Sequence, residues 1–154
     1  MKYQLNFVIP QGPTGPAGGI LAYGGIYSNE DQDVDISITG AQTQINLEST
    51  MPSSNISYTP VNCITIQQSG IYEISYHANV STTGATVTFS IRNNGKNIPE
   101  TVITRTITQY IFNNSIIINL EANSVLDMVV SSTLGIDISL RGTNNASIIV
   151  KRIG

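Results

Sequence analysis

Side chains that branch at Cβ dominate this chain and constrain its fold more than any other feature. Isoleucine occurs 24 times, threonine 16 times and valine 10 times among 154 residues, whereas leucine occurs only 7 times. Two heavy atoms on Cβ restrict χ1 in a helix but pack well on the pleated surface of a sheet. The chain is therefore expected to be all-β, and its length suits one compact domain.

The low content of charged residues argues against several classes of function. Charged residues make up 11% of the chain, well below the roughly 25% of an ordinary globular protein. The hydrophobic content of 40% argues against global disorder. A net charge of −3 and the lack of any Lys/Arg run make nucleic acid and anionic membrane surfaces poor partners.

Targeting and redox signals are sparse in this sequence. No run of about 18 apolar residues predicts a membrane span, and residues 1–10 contain no apolar core of a secretory signal peptide. With Cys63 as its single cysteine, the chain cannot form an intrachain disulfide. Packing must therefore stabilise the fold, and association with other copies is the further option.

The first twenty residues have a pattern of their own. Residues 1–9 alternate apolar and polar side chains as a strand does, and Pro10 ends the alternation. Collagen-like triplets follow, carried by Gly12, Pro13, Gly15, Pro16 and Gly18. Only glycine fits at the axis of a collagen triple helix, although a flexible Gly/Pro linker is the alternative for so short a stretch. We therefore divide the chain into an N-terminal segment (1–10), a collagen-like stub (11–19) and a head (20–154).

Short apolar segments separated by turn residues fill the rest of the chain, as in a sandwich or jelly roll. Strands are predicted at 21–28, 33–39, 43–48, 61–67, 70–81, 85–93, 101–111, 115–121, 124–132, 135–141 and 145–153. Asn94-Gly95 predicts a hairpin, because a type I′ turn needs positive φ at both central residues. The period of two places these side chains toward the core: Val34, Ile36, Ile38, Tyr72, Ile74, Tyr76, Ala78, Val87, Phe89, Ile91, Ile116, Ile118 and Leu120.

The opposite faces of several strands carry hydroxyl groups instead of charges. Examples are Thr86, Thr88 and Ser90 on one strand, and Thr104, Thr106 and Thr108 on another. Such faces suit close packing against a further copy of the chain or an inert exterior.

Three segments carry a resemblance to a known family. Residues 70–77, GIYEISYH, look like the Gly-x-Tyr…Tyr-His strand of the complement first-component globular head and of collagen-type trimerisation domains. Asn94-Gly95 follows at the family's hairpin position, and residues 115–126 resemble its next pair of strands. The likeness covers roughly residues 21–154 and belongs to the tumour-necrosis-factor-like jelly-roll superfamily.

Two further features narrow the resemblance to one branch of that superfamily. The closing segment at 145–151 is aliphatic, whereas the animal proteins carry an aromatic–Gly–aromatic stretch there. The aliphatic version, together with a short N-terminal segment and Gly-Pro-Thr triplets, is similar to the bacterial collagen-like exosporium glycoproteins. The resemblance implies a jelly-roll head of about ten antiparallel strands that forms a homotrimer and nucleates a collagen-like stalk.

The resemblance also implies a location and a set of partners. We expect a structural, non-enzymatic protein of the spore surface, or exosporium, with no cofactor and with residues 1–10 as the candidate anchoring segment. Expected partners are two further copies of the chain, other spore-coat or exosporium proteins, and a ligand on a host surface. A trimeric adhesin or the receptor-binding head of a phage fibre is the alternative function.

Candidate interface residues follow from residue type and from the resemblance. Aromatic side chains with a polar tip are favoured where subunits meet, although an ordinary place in the core of one chain is the alternative for each. The candidates are Tyr72, Tyr76, His77, Phe89, Tyr110, Ile149 and Ile153.

Few residues offer catalytic or metal chemistry. His77 is the only histidine, and the chain has no Gly-x-Ser-x-Gly elbow to accompany it. Cys63 has no flanking Lys, Arg or His to activate it and is expected to be a buried, inert thiol. One His and one Cys exclude a zinc constellation within the chain. Asp31, Asp33 and Asp35 are weak calcium candidates, because the last two share the exposed face of one strand.

Overall fold

The structure, a computed structural model, describes residues 21–154 and confirms the all-β prediction. Its strands are β1 (Tyr23–Ser28), β2 (Gln32–Ile36), β3 (Thr43–Gln44), β4 (Ser49–Thr50), β5 (Ile56–Ser57), β6 (Ile64–Ile66), β7 (Gly70–Asn93), β8 (Lys96–Asn97), β9 (Ile103–Leu120), β10 (Val125–Ser132), β11 (Ile136–Leu140) and β12 (Ala146–Arg152). One turn of 3₁₀ helix, Pro99–Thr101, is the only helix within this range. No helix of the described residues is long and apolar enough to cross a membrane.

Two long strands join the two layers of the fold. β7 has 24 residues and β9 has 18, and they pair antiparallel over most of their length. The first sheet has the order β4-β1-β12-β7-β9, using the first half of β7 and the second half of β9. The second sheet has the order β5-β6-β10-β7-β9, using the other halves. One antiparallel sheet therefore curls over on itself, as a jelly roll does.

The predicted break between segments 70–81 and 85–93 is a β-bulge. The β7–β9 register shifts between Ser81 and Ala85, and Gly84 has a φ of +105° there. β7 and β9 remain paired on both sides of the bulge, so the two strands bend together from the first sheet into the second. A bulge of this kind strengthens the local twist.

The core lies between the two layers and confirms most of the predicted inward residues. Tyr72, Ile74 and Tyr76 are buried from the first layer, while Val87 and Phe89 are buried from the second. Ile38 is the exception: β2 ends at residue 36, so the alternation no longer holds at residue 38, and this side chain is exposed.

Phe89 and Phe112 meet inside the core. Their ring centroids lie 4.6 Å apart with the rings tilted. Tilted and offset aromatic pairs are favoured over a face-to-face sandwich, and this pair joins β7 to β9 inside the fold.

A buried network of hydrogen bonds connects the 3₁₀ turn to the core. The Thr101 hydroxyl donates to the Ile98 carbonyl at 2.7 Å and accepts from the Ile91 N–H at 2.9 Å. The Tyr76 hydroxyl donates to the Thr101 carbonyl at 2.7 Å. Burial raises the pKa of the Tyr76 phenol well above its ordinary value, so the phenol remains a hydrogen-bond donor.

The predicted hairpin is confirmed at Asn94 and Gly95. Their φ angles are +50° and +79°, as a type I′ turn requires, and the turn joins β7 to β8. Asn94 also bonds to the start of β10, because its side-chain oxygen accepts from the Val125 N–H at 3.0 Å.

Residues 43–67 depart most from the prediction. Strands expected at 43–48 and 61–67 shrink to Thr43–Gln44 and Ile64–Ile66, and the short β4 and β5 are unpredicted. Outside this region, β8 is also unpredicted. Ile45 and Leu47 still alternate inward, but the Leu47 N–H bonds to the Asn62 side-chain oxygen at 2.9 Å instead of a neighbouring strand. The pairing with β10 ends at the Ile45 N–H, which donates to the Met128 carbonyl at 2.9 Å, while the apolar alternation continues to Leu47.

The segment at 1–10 and the collagen-like residues Gly12, Pro13, Gly15, Pro16 and Gly18 lie outside the described residues. The proposed start of the head at residue 20 does so as well. These assignments stay predictions.

Candidate functional site

The outer surface of the first sheet is the most distinctive surface of the molecule, and we call it the front face. It is formed by the outward side chains of β1, β12, the first half of β7 and the second half of β9. The cross-strand register arranges them in three rows: Tyr23, Lys151, Glu73 and Ile117; then Gly25, Ile149, Ser75 and Ser115; then Tyr27, Ser147, His77 and Asn113.

Charge is scarce on the front face. Glu73 and Lys151 are the only charged members of the three rows, and they pair at 3.3 Å. The Ser115 hydroxyl donates to Glu73 at 3.2 Å and lies 3.0 Å from the Ser75 hydroxyl. Both charges are therefore compensated within one small network, and the rest of the face is apolar or neutral.

Exposed aliphatic and aromatic side chains gather at one end of this face. Ile71, Ile117, Ile153 and Tyr23 are all exposed. The Ile153 N–H donates to the Ile71 carbonyl at 2.8 Å, so these two side chains extend the rows beyond Lys151 and Glu73. Tyr23 and Ile117 lie at opposite ends of one row, with Lys151 and Glu73 between them, so the exposed apolar side chains flank this charged pair. Clustered exposed apolar side chains mark interaction sites more often than single ones do.

An apolar groove of about 310 Å³ lies beside them, between Tyr23, Met51, Pro52 and Ile149. On β1, Gly25 lies next to Met51. A Cβ at this position would lie 2.6 Å from the Met51 sulfur and 3.0 Å from the Ile148 carbonyl oxygen, so the missing side chain leaves room for Met51 against β1.

Three predicted interface residues belong to the core instead, which corrects the sequence-based choice. Tyr72, Tyr76 and Phe89 are fully or almost fully buried within one chain. Their place in the strand alternation points them between the two sheets, and the Tyr72 hydroxyl donates to the Gln68 carbonyl at 2.8 Å. Their side chains have no surface left for a second copy.

The other four candidates are at or near the surface. His77 and Ile149 lie half-buried in the rows of the front face, and Ile153 is exposed at its end. Tyr110 is exposed near the far end of that sheet, where its ring meets the edge of Phe112 at a centroid distance of 5.0 Å.

The sequence-based choice missed Tyr23, Ile71 and Ile117. Their signal was present in the alternation of strands, because each is odd-numbered in a segment whose even-numbered residues are buried or half-buried. Choosing candidates by aromatic character instead of by strand face led to the core.

β9 presents a free edge beside the front face. Among the described strands it pairs with β7 alone, so the backbone groups on its other side have no strand partner over 18 residues. Arg105 is the only charged residue in this strand. A long, weakly charged edge strand can pair with other chains, and natural proteins cover such edges.

Two of the three aspartates proposed as weak calcium candidates bind other groups of the chain. The Asp31 carboxylate accepts from the Gly142 N–H at 2.9 Å, and Asp33 pairs with Arg141. The Ser139 hydroxyl and Arg141 lower the pKa of Asp33. Asp35 lies opposite Asp137 in the β2–β11 ladder. Within residues 21–154, no three acidic, His or Cys side chains come together as metal ligands.

His77 and Cys63 lie apart and in different settings. His77 has Ser147 and Asn113 as its cross-strand neighbours, and neither is a carboxylate. Cys63 is buried, and its sulfur accepts from the Gln44 side chain at 3.6 Å. Burial, with a further contribution from Asp127, raises the pKa of the thiol, which keeps it protonated.

The outer surface of the second sheet carries the expected hydroxyl groups. The Thr86 and Thr106 hydroxyls lie 2.8 Å apart, and the Thr88 and Thr104 hydroxyls are also separated by 2.8 Å. In each cross-strand pair the two hydroxyl groups bond to each other, so the hydrogen bonds of this surface are already formed within the chain.

Comparison with known proteins agrees with this architecture. A family model described as the BclA C-terminal domain matches residues 26–154. No curated protein sequence matches the chain. Among solved structures, the Eiger TNF from S. frugiperda is similar with a TM-score of 0.62 and 12% identity, over 88% of this chain and 94% of that chain. At that identity the likeness establishes the fold alone. Because the family model covers most of the sequence, the chain belongs to the family of C-terminal domains of the BclA-type exosporium collagen-like glycoproteins.

Proposed function

We propose that this chain is a structural head of the spore surface, which assembles as a homotrimer through the front face and so aligns three collagen-like stalks. The observation that carries the proposal is the combination of a nearly uncharged sheet face and an uncovered strand edge on the same chain. Family membership supports the exosporium location.

The composition of the front face supports burial in an assembly. The buried centres of subunit interfaces are depleted in charge and enriched in aromatic residues and methionine. Tyr23 fits the aromatic enrichment, Ile71, Ile117 and Ile153 add exposed apolar surface at the same end of the face, and the single charged pair is already matched within the chain.

The relation between the front face and the β9 edge supports a closed ring. They are different surfaces, so a contact between the face of one copy and the edge of the next is heterologous. Heterologous contacts either close into a ring or continue into a filament. A ring of three, the number that the family resemblance implies, would place every β9 edge against the front face of a neighbouring copy.

The positions of the chain ends suit a stalk. The Arg152 N–H donates to the Ala22 carbonyl at 2.7 Å, and the Ile71 N–H donates to the Gly154 carbonyl at 2.9 Å. The first and last described residues therefore lie at one end of the first sheet. In a ring whose axis runs along these strands, three N-terminal segments would leave the same side in register.

A pair of matched substitutions tests the proposal. Ile117 on the front face and Ile38 outside it are both 68% exposed. Burying an isoleucine contributes about 2 kcal/mol per copy, and a buried unpaired lysine costs more. We expect Ile117→Lys to lower the solution mass measured by light scattering to that of one chain, while Ile38→Lys keeps the native mass. Equal masses for the two variants would contradict the choice of face.

A further inference from the structure

A second groove, beside the front face, has the chemistry of a small-ligand site. It lies at the end of β1, has a volume of about 390 Å³, and is lined among others by Tyr27, Met51, Pro52, Asn29, Thr143 and Asn144. That volume is within the range of roughly 300–1,000 Å³ found for ligand sites. We infer that this groove binds a neutral saccharide, a role beyond structural assembly.

The lining divides into an apolar floor and a polar rim. Tyr27, Met51 and Pro52 supply the floor, and the rim consists of amide and hydroxyl side chains. A pyranose ring presents a face of C–H groups bordered by hydroxyls, so an aromatic ring next to neutral donors and acceptors matches both of its parts. Amphipathic aromatic rings provide such contact area at little entropic cost.

Charge complementarity selects the class of ligand. As lined by the described residues, the groove has no charged side chain. Glu48, the acid that contacts the rim, is engaged by the Asn29 N–H at 2.8 Å. A charged sugar or a basic or acidic peptide would lose hydration without gaining an ionic partner. A neutral sugar would replace its water contacts with amide and hydroxyl contacts.

The rim is already held in place. The Asn144 N–H donates to the Asn29 side-chain oxygen at 2.8 Å, which leaves the Asn29 NH₂ group and the Asn144 and Thr143 side chains at the groove surface.

Buried Asn145 locks the loop behind this rim. Its side-chain NH₂ donates to the Glu30 carbonyl at 2.8 Å, and its backbone N–H donates to the Ser28 carbonyl at 2.9 Å. A preorganised loop lowers the entropic cost of binding.

Every residue of the groove belongs to one chain, but Tyr27 also lies in the last row of the front face. The proposal therefore rests on an assembly contact at the Ile117 end of that face, which leaves the Tyr27 end accessible; light scattering separates a failure of assembly from a failure of sugar binding. The test is saturation-transfer NMR on the full-length protein in its native assembly. The probes are methyl glycosides of glucose, galactose, mannose, fucose and N-acetylglucosamine, with sialic acid and glucosamine as charged comparisons. We expect transfer to at least one neutral glycoside at millimolar concentration and none to the charged sugars.

Variants assign the signal to the groove. Tyr27→Ala should weaken binding by at least about tenfold, while Tyr27→Phe should retain it. Asn144→Gly keeps the backbone conformation, which has a φ of +51°, and removes the side-chain amide, so it should also weaken binding. This variant carries the test if Tyr27→Ala does not fold. Tyr110→Ala, at an exposed tyrosine far from the groove, should bind as the native protein does. Absence of transfer to every neutral glycoside, preference for a charged sugar, or unchanged binding by Asn144→Gly would each overturn the proposal.

Discussion

The buried hydroxyl of Thr101 allows a sharp test of how this fold satisfies its polar groups. Thr101→Val preserves the shape of the side chain and removes only the hydroxyl. The Ile98 carbonyl would still accept from the residue 101 N–H at 3.0 Å, but the Ile91 N–H would lose its acceptor at 2.9 Å. Because residue 101 is only 1% exposed, water cannot replace that acceptor.

Leaving one buried N–H unsatisfied costs about 1–3 kcal/mol. For a domain of this size each kcal/mol lowers Tm by roughly 2–4 °C, so we expect a decrease of about 6 °C at fixed protein concentration. Differential scanning calorimetry would measure it.

Thr104→Val is the matched control. Its hydroxyl pairs with that of Thr88 at 2.8 Å on an exposed surface, where water can take over the hydrogen bond. We expect a loss below about 0.5 kcal/mol. If the variants at Thr101 and Thr104 lost equal stability, the reasoning from burial would be refuted.

Two further predictions concern Asp127 and Cys63, which lie near each other beside Gln44. Arg92 forms an ion pair with buried Asp127, which also accepts from the Gln44 side-chain amide at 3.0 Å. Arg92→Met removes the ionic partner and should cost on the order of 3 kcal/mol in urea unfolding. Arg105→Met, at an exposed arginine, should change stability by less than about 0.5 kcal/mol, and similar losses for both would contradict the assigned role of the pair. Because the pKa of the Cys63 thiol is raised, its thiolate fraction at neutral pH is below that of an ordinary thiol. Thiol labelling of the native protein should therefore be slow at pH 7 and become faster only above the usual pKa range of thiols. Equal labelling rates in native and urea-unfolded protein would contradict this expectation.

The sequence predicted the elements whose signals are local. Alternation over residues 70–93 identified the inward side chains, because the strand period of two depends only on neighbouring residues. Asn94-Gly95 identified its turn for the same reason, since positive φ is a property of those two residues. Family resemblance supplied the jelly-roll topology, which local patterns could not.

Non-local features escaped prediction. The continuity of β7 and β9 across the bulge depends on pairing between segments far apart in sequence. The front face depends on the register of four strands, and only that register shows that Tyr23 and Ile117 belong to the same row. Leu47 looked like part of a strand because it is buried in an alternating pattern, but its backbone bonds to a side chain.

The groove next to Tyr27 could not have been found from the sequence either. Two residues of its rim, Asn29 and Asn144, are 115 positions apart in the chain and meet through one hydrogen bond from the Asn144 N–H to the Asn29 side chain. Neither residue stands out by type in a chain rich in asparagine.

Solution mass by light scattering, repeated after mild heating in detergent, tests the central claim of assembly most directly. A trimer would give a resistant species with a mass of three times 16.5 kDa. A species of 16.5 kDa at every concentration would contradict assembly through the front face and leave family membership as evidence of the fold alone.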